Sequence, residues 1–330
     1  MVSAVEDKQI NFSGEHHLAW VSGVTKAFGQ VVAVSNVSFG IPQGSILGFL
    51  GPNGSGKTTS IRMLLGLIRP QLGEVRIFGE DPFTHSAIKR NLGYVAESSA
   101  FPPWIRAREY LFKLGRLTLV REEAKRRADE VLAQVQLEDV GNKKIVQFSK
   151  GMKQRMKLAQ ALLHHPLLVI ADEPFNGLDP VVRKRVFDLL HEYRDTYGTT
   201  FFVSSHILFE VDRLADQIVL LYKGRTIAQG APLRIRSLLQ EQPHSIRIAT
   251  PSTKQLASLL IANLEGKTFS SIEFNKDPRN QEPQMIVTTH DPLRFYHLLT
   301  ELIADNDISV KEIRQTDEGL ESLFQALTQG

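Results

Sequence analysis

The sequence predicts an α/β domain built on a mostly parallel sheet, followed by a smaller α+β domain. Three observations carry this. From Leu18 to about Gly230 short apolar runs alternate with helical patterns, the rhythm of a buried parallel sheet with helices on its faces. One of those runs, Ile46–Leu50, leads straight into a glycine-rich segment that opens a helical stretch ending before Pro70. After Gln240 the rhythm changes to alternating strands and short helices in a different order.

Composition sets the outer limits. A chain of 330 residues with 42% hydrophobic and 23% charged residues suits two soluble globular domains, which excludes wholesale disorder and collagen. The absence of cysteine excludes a disulfide-stapled scaffold, a thiolate metal site and thiol catalysis. A formal net charge of +3 creates no strong field, so nucleic-acid binding is not demanded. The longest largely apolar stretch, Leu158 to Ala171, is broken by Gln160, His164, His165 and Pro166, short of the roughly 20 residues a membrane span needs. Met1 to Glu15 lack a basic stretch followed by an apolar one, so no secretory signal is visible, and residues 1–17 read as a flexible tail.

The strands of the first domain are the apolar runs Ile46–Leu50, Leu167–Ile170, Thr200–Val203 and Ile218–Leu221. Arg121–Val135 is an amphipathic helix, because Ala124, Ala128, Val131, Leu132 and Val135 recur at helical spacing opposite Glu122, Lys125, Arg126 and Glu130. Lys125–Arg127 and Arg183–Arg185 then read as solvated helix faces. His164-His165 closes the helix Met152–His164, where the dipole tolerates a partial positive charge.

In the second domain Ile246 and Ile248 alternate, then come a helix with Leu256, Leu259, Leu260 and Leu264, and strands Phe269–Phe274 and Met285–Thr289. A helix through Phe295, Leu299 and Ile303, a strand Ile308–Ile313 and a last helix through Leu320, Leu323 and Leu327 follow. This βαββαβα order predicts a ferredoxin-like two-layer domain with a terminal helix. The division is 18–240 and 241–330, with Gln240–Pro243 as the linker.

Gly51, Pro52, Asn53, Gly54, Ser55, Gly56, Lys57 and Thr58, followed by Thr59, satisfy the phosphate-loop pattern between a strand and a helix. Glycines let backbone N–H groups and a helix N-terminus face phosphates, Lys57 adds charge at the β and γ groups, and the Thr58 hydroxyl can ligate Mg²⁺. Asp172 and Glu173 end the apolar run Leu167–Ala171. Asp172 can hold the Mg²⁺ shell, and Glu173 can polarise water for attack on a γ-phosphate.

With these motifs the chain resembles the nucleotide-binding subunit of an ABC (ATP-binding cassette) transporter. Phe148-Ser149-Lys150-Gly151-Met152, followed by Gln154-Arg155, is similar to that family's signature, with departures at Phe148, Lys150 and Met152. Its form resembles the one common in exporter-type ATPases with separate membrane subunits. The resemblance implies that Ser149 and Gly151 contact a γ-phosphate, that Asp179 in Asn176–Pro180 belongs to the D-loop, and that His206 in Ser204-Ser205-His206 is the switch histidine. It also implies that Phe28 stacks on adenine and that Glu97 occupies the Q-loop position, where the family carries glutamine and where a carboxylate can still reach Mg²⁺. Phe101-Pro-Pro-Trp104 then lies where the family receives the permease's coupling helix.

The implied fold is a P-loop NTPase cassette, a parallel-sheet core with antiparallel β and α-helical subdomains. The implied activity is hydrolysis of ATP with Mg²⁺ at two sites shared head to tail with a second copy or a homologous subunit. The implied setting is the cytoplasmic face of the cell membrane, held there by a permease and powering export of a small-molecule or lipid-like substrate. A soluble ABC ATPase acting on nucleic acid or ribosomes is the alternative. Against it, the chain has one cassette and lacks the zinc modules of repair-type relatives.

Overall fold

The computed structural model of the chain describes residues 17–98, 100–235, 244–263, 269–276, 282–289 and 291–315. The expected tail before residue 17, the linker Gln240–Pro243 and the last helix lie outside them. The chain separates into two units, Met1–Pro232 and Leu233–Gly330.

The first unit contains two sheets. Strands β1 (His17–Phe28) and β2 (Val31–Pro42) form a long antiparallel hairpin, and β4 (Leu72–Ile77) pairs with the other edge of β1. The second sheet is built on β3 (Ile46–Leu50), β5 (Leu92–Val95), β6 (Leu168–Asp172), β7 (Thr200–Ser205), β8 (Gln217–Tyr222) and β9 (Arg225–Gly230), in the order β5-β6-β7-β3-β8-β9. All neighbours are parallel except the β8–β9 pair. Every residue of β3, β6 and β7 is buried, which is why they read as unbroken apolar runs rather than alternating ones. Phe39 from the first sheet packs on Phe49 and Phe202 of the second, with centroids 5.0 and 5.5 Å apart.

Parallel pairing has a direct consequence for function. Asp172 lies opposite Ser204, and Leu50 opposite Ser205, so the segments following β3, β6 and β7 emerge at one edge of the sheet. Open parallel sheets bind ligands at such carboxyl ends.

Helix α1 (Lys57–Leu64) leaves from this edge. Between β5 and β6 lies a helical layer of α2 (Ala107–Gly115), α3 (Arg121–Gln134) and α4 (Lys150–Leu162), packed through Leu111, Val131, Leu132 and Met156. The expected solvated face on α3 is corrected here. Arg126 is 65% exposed, but Arg127 is fully buried, donating to the carbonyls of Leu162 (2.8 Å) and Leu163 (3.0 Å) and to the Tyr193 hydroxyl (3.1 Å). It thereby caps α4, whose orphan C-terminal carbonyls need donors, and α4 ends before His164 because His165 turns to φ 50°. His164 and His165 are not held partly charged by a dipole: burial pushes both below the ordinary histidine range. Helix α5 (Pro180–Tyr197) starts on an Asp179 cap and stops at Gly198, and α6 (Leu208–Leu214) follows β7.

The second unit holds β10 (His244–Ala249), α7 (Thr253–Asn263), β11 (Phe269–Lys276), β12 (Pro283–Thr289), α8 (Pro292–Asp305) and β13 (Glu312–Gln315). The sheet order is β11-β12-β10-β13 with every neighbouring pair antiparallel, which is the split βαβ arrangement of a ferredoxin-like domain. Ile246, Ile248, Leu256, Leu260, Met285 and Phe295 share its core. The last strand starts later than Ile308, because Ile308 first turns back to the Ile303 carbonyl and pairing with β10 begins at Glu312.

Candidate active site

The phosphate-loop sequence folds as its pattern requires. Gly56 takes φ 103°, and a Cβ there would lie 2.6 Å from the Ala33 carbonyl, so only glycine fits. Gly51 is equally tight, with the Leu221 carbonyl 2.4 Å from any added Cβ. The loop borders a cavity of about 470 Å³, lined by Asn53, Gly54 and Gly56 through Thr59, by Val31–Ala33 of β2, and by Glu97 and Glu173. That volume is in the range of small-molecule sites. Pro52 and Ser55 complete the turn, closed by Ser55 N–H donating to the Pro52 carbonyl (3.2 Å). The buried Ser55 Oγ has no hydrogen-bond partner.

Two adjacent carboxylates from the end of β6 are held in different ways. Asp172 accepts from the Thr58 hydroxyl (3.0 Å) and from the Ser204 hydroxyl (2.7 Å). Ser204 in turn accepts from the Glu173 backbone N–H (3.0 Å). Glu173 adopts φ 49°, a left-handed conformation costly for a non-glycine residue and found most often at functional sites. Its Oε2 lies 2.9 Å from His206 Nδ1, and its Oε1 faces Lys57 Nζ at 3.4 Å. That Oε1 is buried yet makes no hydrogen bond, which leaves it able to accept one from a water or a substrate. The Lys57 ammonium also donates to the Gly51 (2.7 Å) and Pro52 (3.3 Å) carbonyls. Burial, reinforced by Asp172, raises Tyr94 beside this cluster above the ordinary phenol range.

The remaining sequence candidates sit elsewhere in the unit. Ser149 caps α4, accepting from Met152 N–H at 3.2 Å, and Gly151 lies against the Gly177 carbonyl, which a Cβ would approach to 3.3 Å. Asp179 caps α5, accepting from Val182 N–H at 2.9 Å. None of Ser149, Gly151 and Asp179 lines the phosphate-loop cavity. Phe28 does not line it either; it is 49% exposed and pairs across the hairpin with Val31, which does. Trp104 is 72% exposed.

Several groups escaped the sequence reading. Gln154 on α4 donates to the Pro174 carbonyl (2.6 Å), fixing the chain just after Glu173; its only signal was its place after the signature. Lys157, one turn on, donates to the Ala96 and Glu97 carbonyls, and no motif marks it. Its burial pushes it down to about 8 against the opposing fields of Glu97 and Asp172, with Lys150 adding to the depression. Arg183 is a second correction to the expected solvated faces: it pairs with the buried Glu210 at 3.1 Å, which also accepts from the Ser205 hydroxyl (2.8 Å) beside His206. Burial raises Glu210 above the usual carboxylate range.

The donor set suits a hard divalent cation held jointly with phosphates. Thr58 and Asp172 already touch, and Glu97 borders the same cavity. Among the described residues no three histidine or carboxylate side chains converge on one point, and Mg²⁺ bound with a nucleotide needs only one or two carboxylates.

The ABC transporter family model matches residues 34–176. Over 308 residues the chain is 35% identical to the bacitracin transport ATP-binding protein BcrA of Bacillus licheniformis, covering 93% of this chain and 96% of that one. It is 30% identical to the daunorubicin/doxorubicin resistance ATP-binding protein DrrA of Streptomyces peucetius, covering 93% and 91%. Among solved structures, the dimeric bacterial ABC transporter cassette MJ0796 superposes with a TM-score of 0.60 at 28% identity, covering 65% of this chain and 98% of that one.

Proposed function

Because the chain belongs to the ABC transporter family, as one of its ATP-binding subunits, we propose that it hydrolyses Mg²⁺–ATP between two head-to-tail copies and thereby powers a separate membrane permease. The observation that carries the chemistry is the contact series Lys57–Glu173–His206, with the one carboxylate oxygen left without a hydrogen bond. The phosphate loop and Lys57 bind and orient the nucleotide's phosphates. Thr58 and Asp172, with Glu97 beside them, would hold Mg²⁺, which when bound neutralises charge on the β and γ groups. Glu173 takes the proton of the attacking water. His206 holds the other Glu173 oxygen, which keeps the base aimed, and Ser204 ties the backbone of Glu173 to the side chain of Asp172.

Ser149, Gly151 and Asp179 act in this reading on the nucleotide of the partner copy, which accords with their place outside the chain's own cavity. Phe28 stacks on adenine at the mouth of the site. The relatives named for bacitracin transport and daunorubicin/doxorubicin resistance support export of a small molecule. Among the described residues no helix is long and apolar enough to cross a membrane; in this reading, which follows from the family, a permease supplies the path and holds the subunit at the cytoplasmic face. The C-terminal unit adjusts dimer stability or partner contact and adds nothing to hydrolysis. The nucleic-acid reading has no observation in its favour.

Glu173→Gln tests the assignment. It should leave ATP binding intact, slow turnover by roughly 10²–10⁴-fold and accumulate an ATP-bound dimer on size exclusion. Near-normal hydrolysis would remove Glu173 from the mechanism. Lys57→Ala should lose nucleotide affinity, and unchanged binding there would count against the phosphate loop.

A further inference from the structure

Helix α4 begins at the Ser149 cap and carries Gln154 and Lys157 one turn apart. Residues at i and i+3 share a helix face, and here their polar ends reach two different segments. Gln154 holds the carbonyl of Pro174, after the base. Lys157 holds the carbonyls of Ala96 (2.6 Å) and Glu97 (2.9 Å). One helix is thus pinned to both acidic segments that border the phosphate-loop cavity.

Lys157 is an unusual residue for such a place. It is only 4% exposed, and lysine is among the residues least often buried, because its ammonium loses strong hydration. Two backbone carbonyls return part of that loss. Glu97 and Asp172 offset a further part with opposite charge, Lys150 opposes them, and burial remains the largest effect. Glu97 lines the same cavity as Glu173 and stands exposed there, so a glutamate in place of a glutamine adds a second negative charge to the cavity wall, and like charges in one site oppose each other. Lys157 places a positive charge under the backbone of the residue that adds the extra negative one.

We infer that Lys157 is a positioning residue that fastens the Ala96–Glu97 segment to the signature helix and offsets the charge of Glu97, so that this carboxylate can serve in the nucleotide site. The inference rests on reading the cavity as the ATP site. It gives the glutamate at a position where the family carries glutamine a built-in counter-charge, and it links Glu97 to the Ser149 end of α4 through about two helical turns.

The test uses the full chain and four variants: Lys157→Met, Lys157→Arg, Glu97→Gln and the double Lys157→Met/Glu97→Gln. Each is checked for folding by circular dichroism, for binding of a fluorescent ATP analogue, and for kcat and KM of Mg²⁺-dependent hydrolysis. Lys157→Met should lower kcat about tenfold or more, the scale of one lost charge-assisted contact, while analogue affinity stays within about threefold. Lys157→Arg should restore most of kcat. The double variant should be faster than Lys157→Met, because it removes the charge that Lys157 balances. A merely structural lysine would lower the melting temperature and leave kcat of the folded fraction, and its dependence on Glu97, untouched.

If Lys157→Met does not fold, Lys157→Gln with and without Glu97→Gln gives the same comparison. A kcat within twofold of the unsubstituted chain, or a double variant no faster than the single one, overturns the inference. An unsubstituted chain that binds no ATP would overturn the functional reading with it, whereas active protein indifferent to Lys157 overturns the inference alone.

Discussion

Replacing Arg127 by methionine isolates an interaction that joins α3, α4 and α5. The substitution keeps a long side chain in the site, so little volume is lost. It removes donors to Leu162, Leu163 and Tyr193 and an ionic contact to Glu130 at 2.6 Å that lacks hydrogen-bond alignment. Leu162 and Leu163 are themselves 1% exposed, so water cannot replace the arginine. Two orphaned buried acceptors, together with the lost contact to Glu130, which is partly exposed and keeps Arg126, are worth about 3–5 kcal/mol. For a domain of this size that corresponds to a melting temperature lower by roughly 6–20 °C. Arg126→Met is the internal control: it removes the same charge one residue away, from an i,i+4 pair with Glu130 in which Arg126 is 65% exposed, and should cost at most about 0.5 kcal/mol. Thermal and urea unfolding of the two variants side by side give the comparison. If Arg127→Met lies within about 1 kcal/mol of Arg126→Met, Arg127 does not cap α4 in solution.

Two further outcomes follow from the same structure. His164 and His165 are depressed by burial, so below about pH 6.5 the unfolded chain takes up protons that the folded one refuses. Stability is therefore full above that pH and is lost as pH falls toward the folded values; the melting temperature should drop between about pH 7.5 and 5.5, less steeply in His164→Gln, and an unchanged midpoint would contradict the burial. A chain ending near residue 240 keeps the whole of the first unit's two cores and should still bind ATP; a folded truncation that cannot bind it at high concentration would refute the two-domain division.

What was legible in the sequence was what local chemistry demands. The runs at β3, β6, β7 and β8 read as strands because both faces are covered, and the phosphate loop was readable because only glycine tolerates the backbone of Gly56. Asp172 and Glu173 stood out because paired carboxylates at the end of an apolar strand are costly without a use. In the C-terminal unit the succession of strands and helices pointed to a ferredoxin-like domain, and the sheet order β11-β12-β10-β13 agrees with that arrangement. Arg127, Lys157 and Arg183 were not legible, because their partners are backbone carbonyls or a glutamate far away in sequence, on other elements. A basic run on an amphipathic helix looks the same whether its inner member points to solvent or caps a neighbouring helix. Sequence position also could not show that Ser149 and Asp179 lie outside their own chain's cavity, which only the fold reveals.

A composite site can be tested by complementation between two inactive chains. Ser149→Arg should block the signature and Lys57→Ala the phosphate loop, leaving each parent inactive as a homodimer. In a mixed dimer the intact phosphate loop of the Ser149→Arg chain meets the intact signature of the Lys57→Ala chain, forming one whole site. ATP hydrolysis in the mixture should therefore rise well above the sum of the parents. Demonstrated heterodimers whose activity does not exceed that sum would show that the signature does not act on the partner's nucleotide.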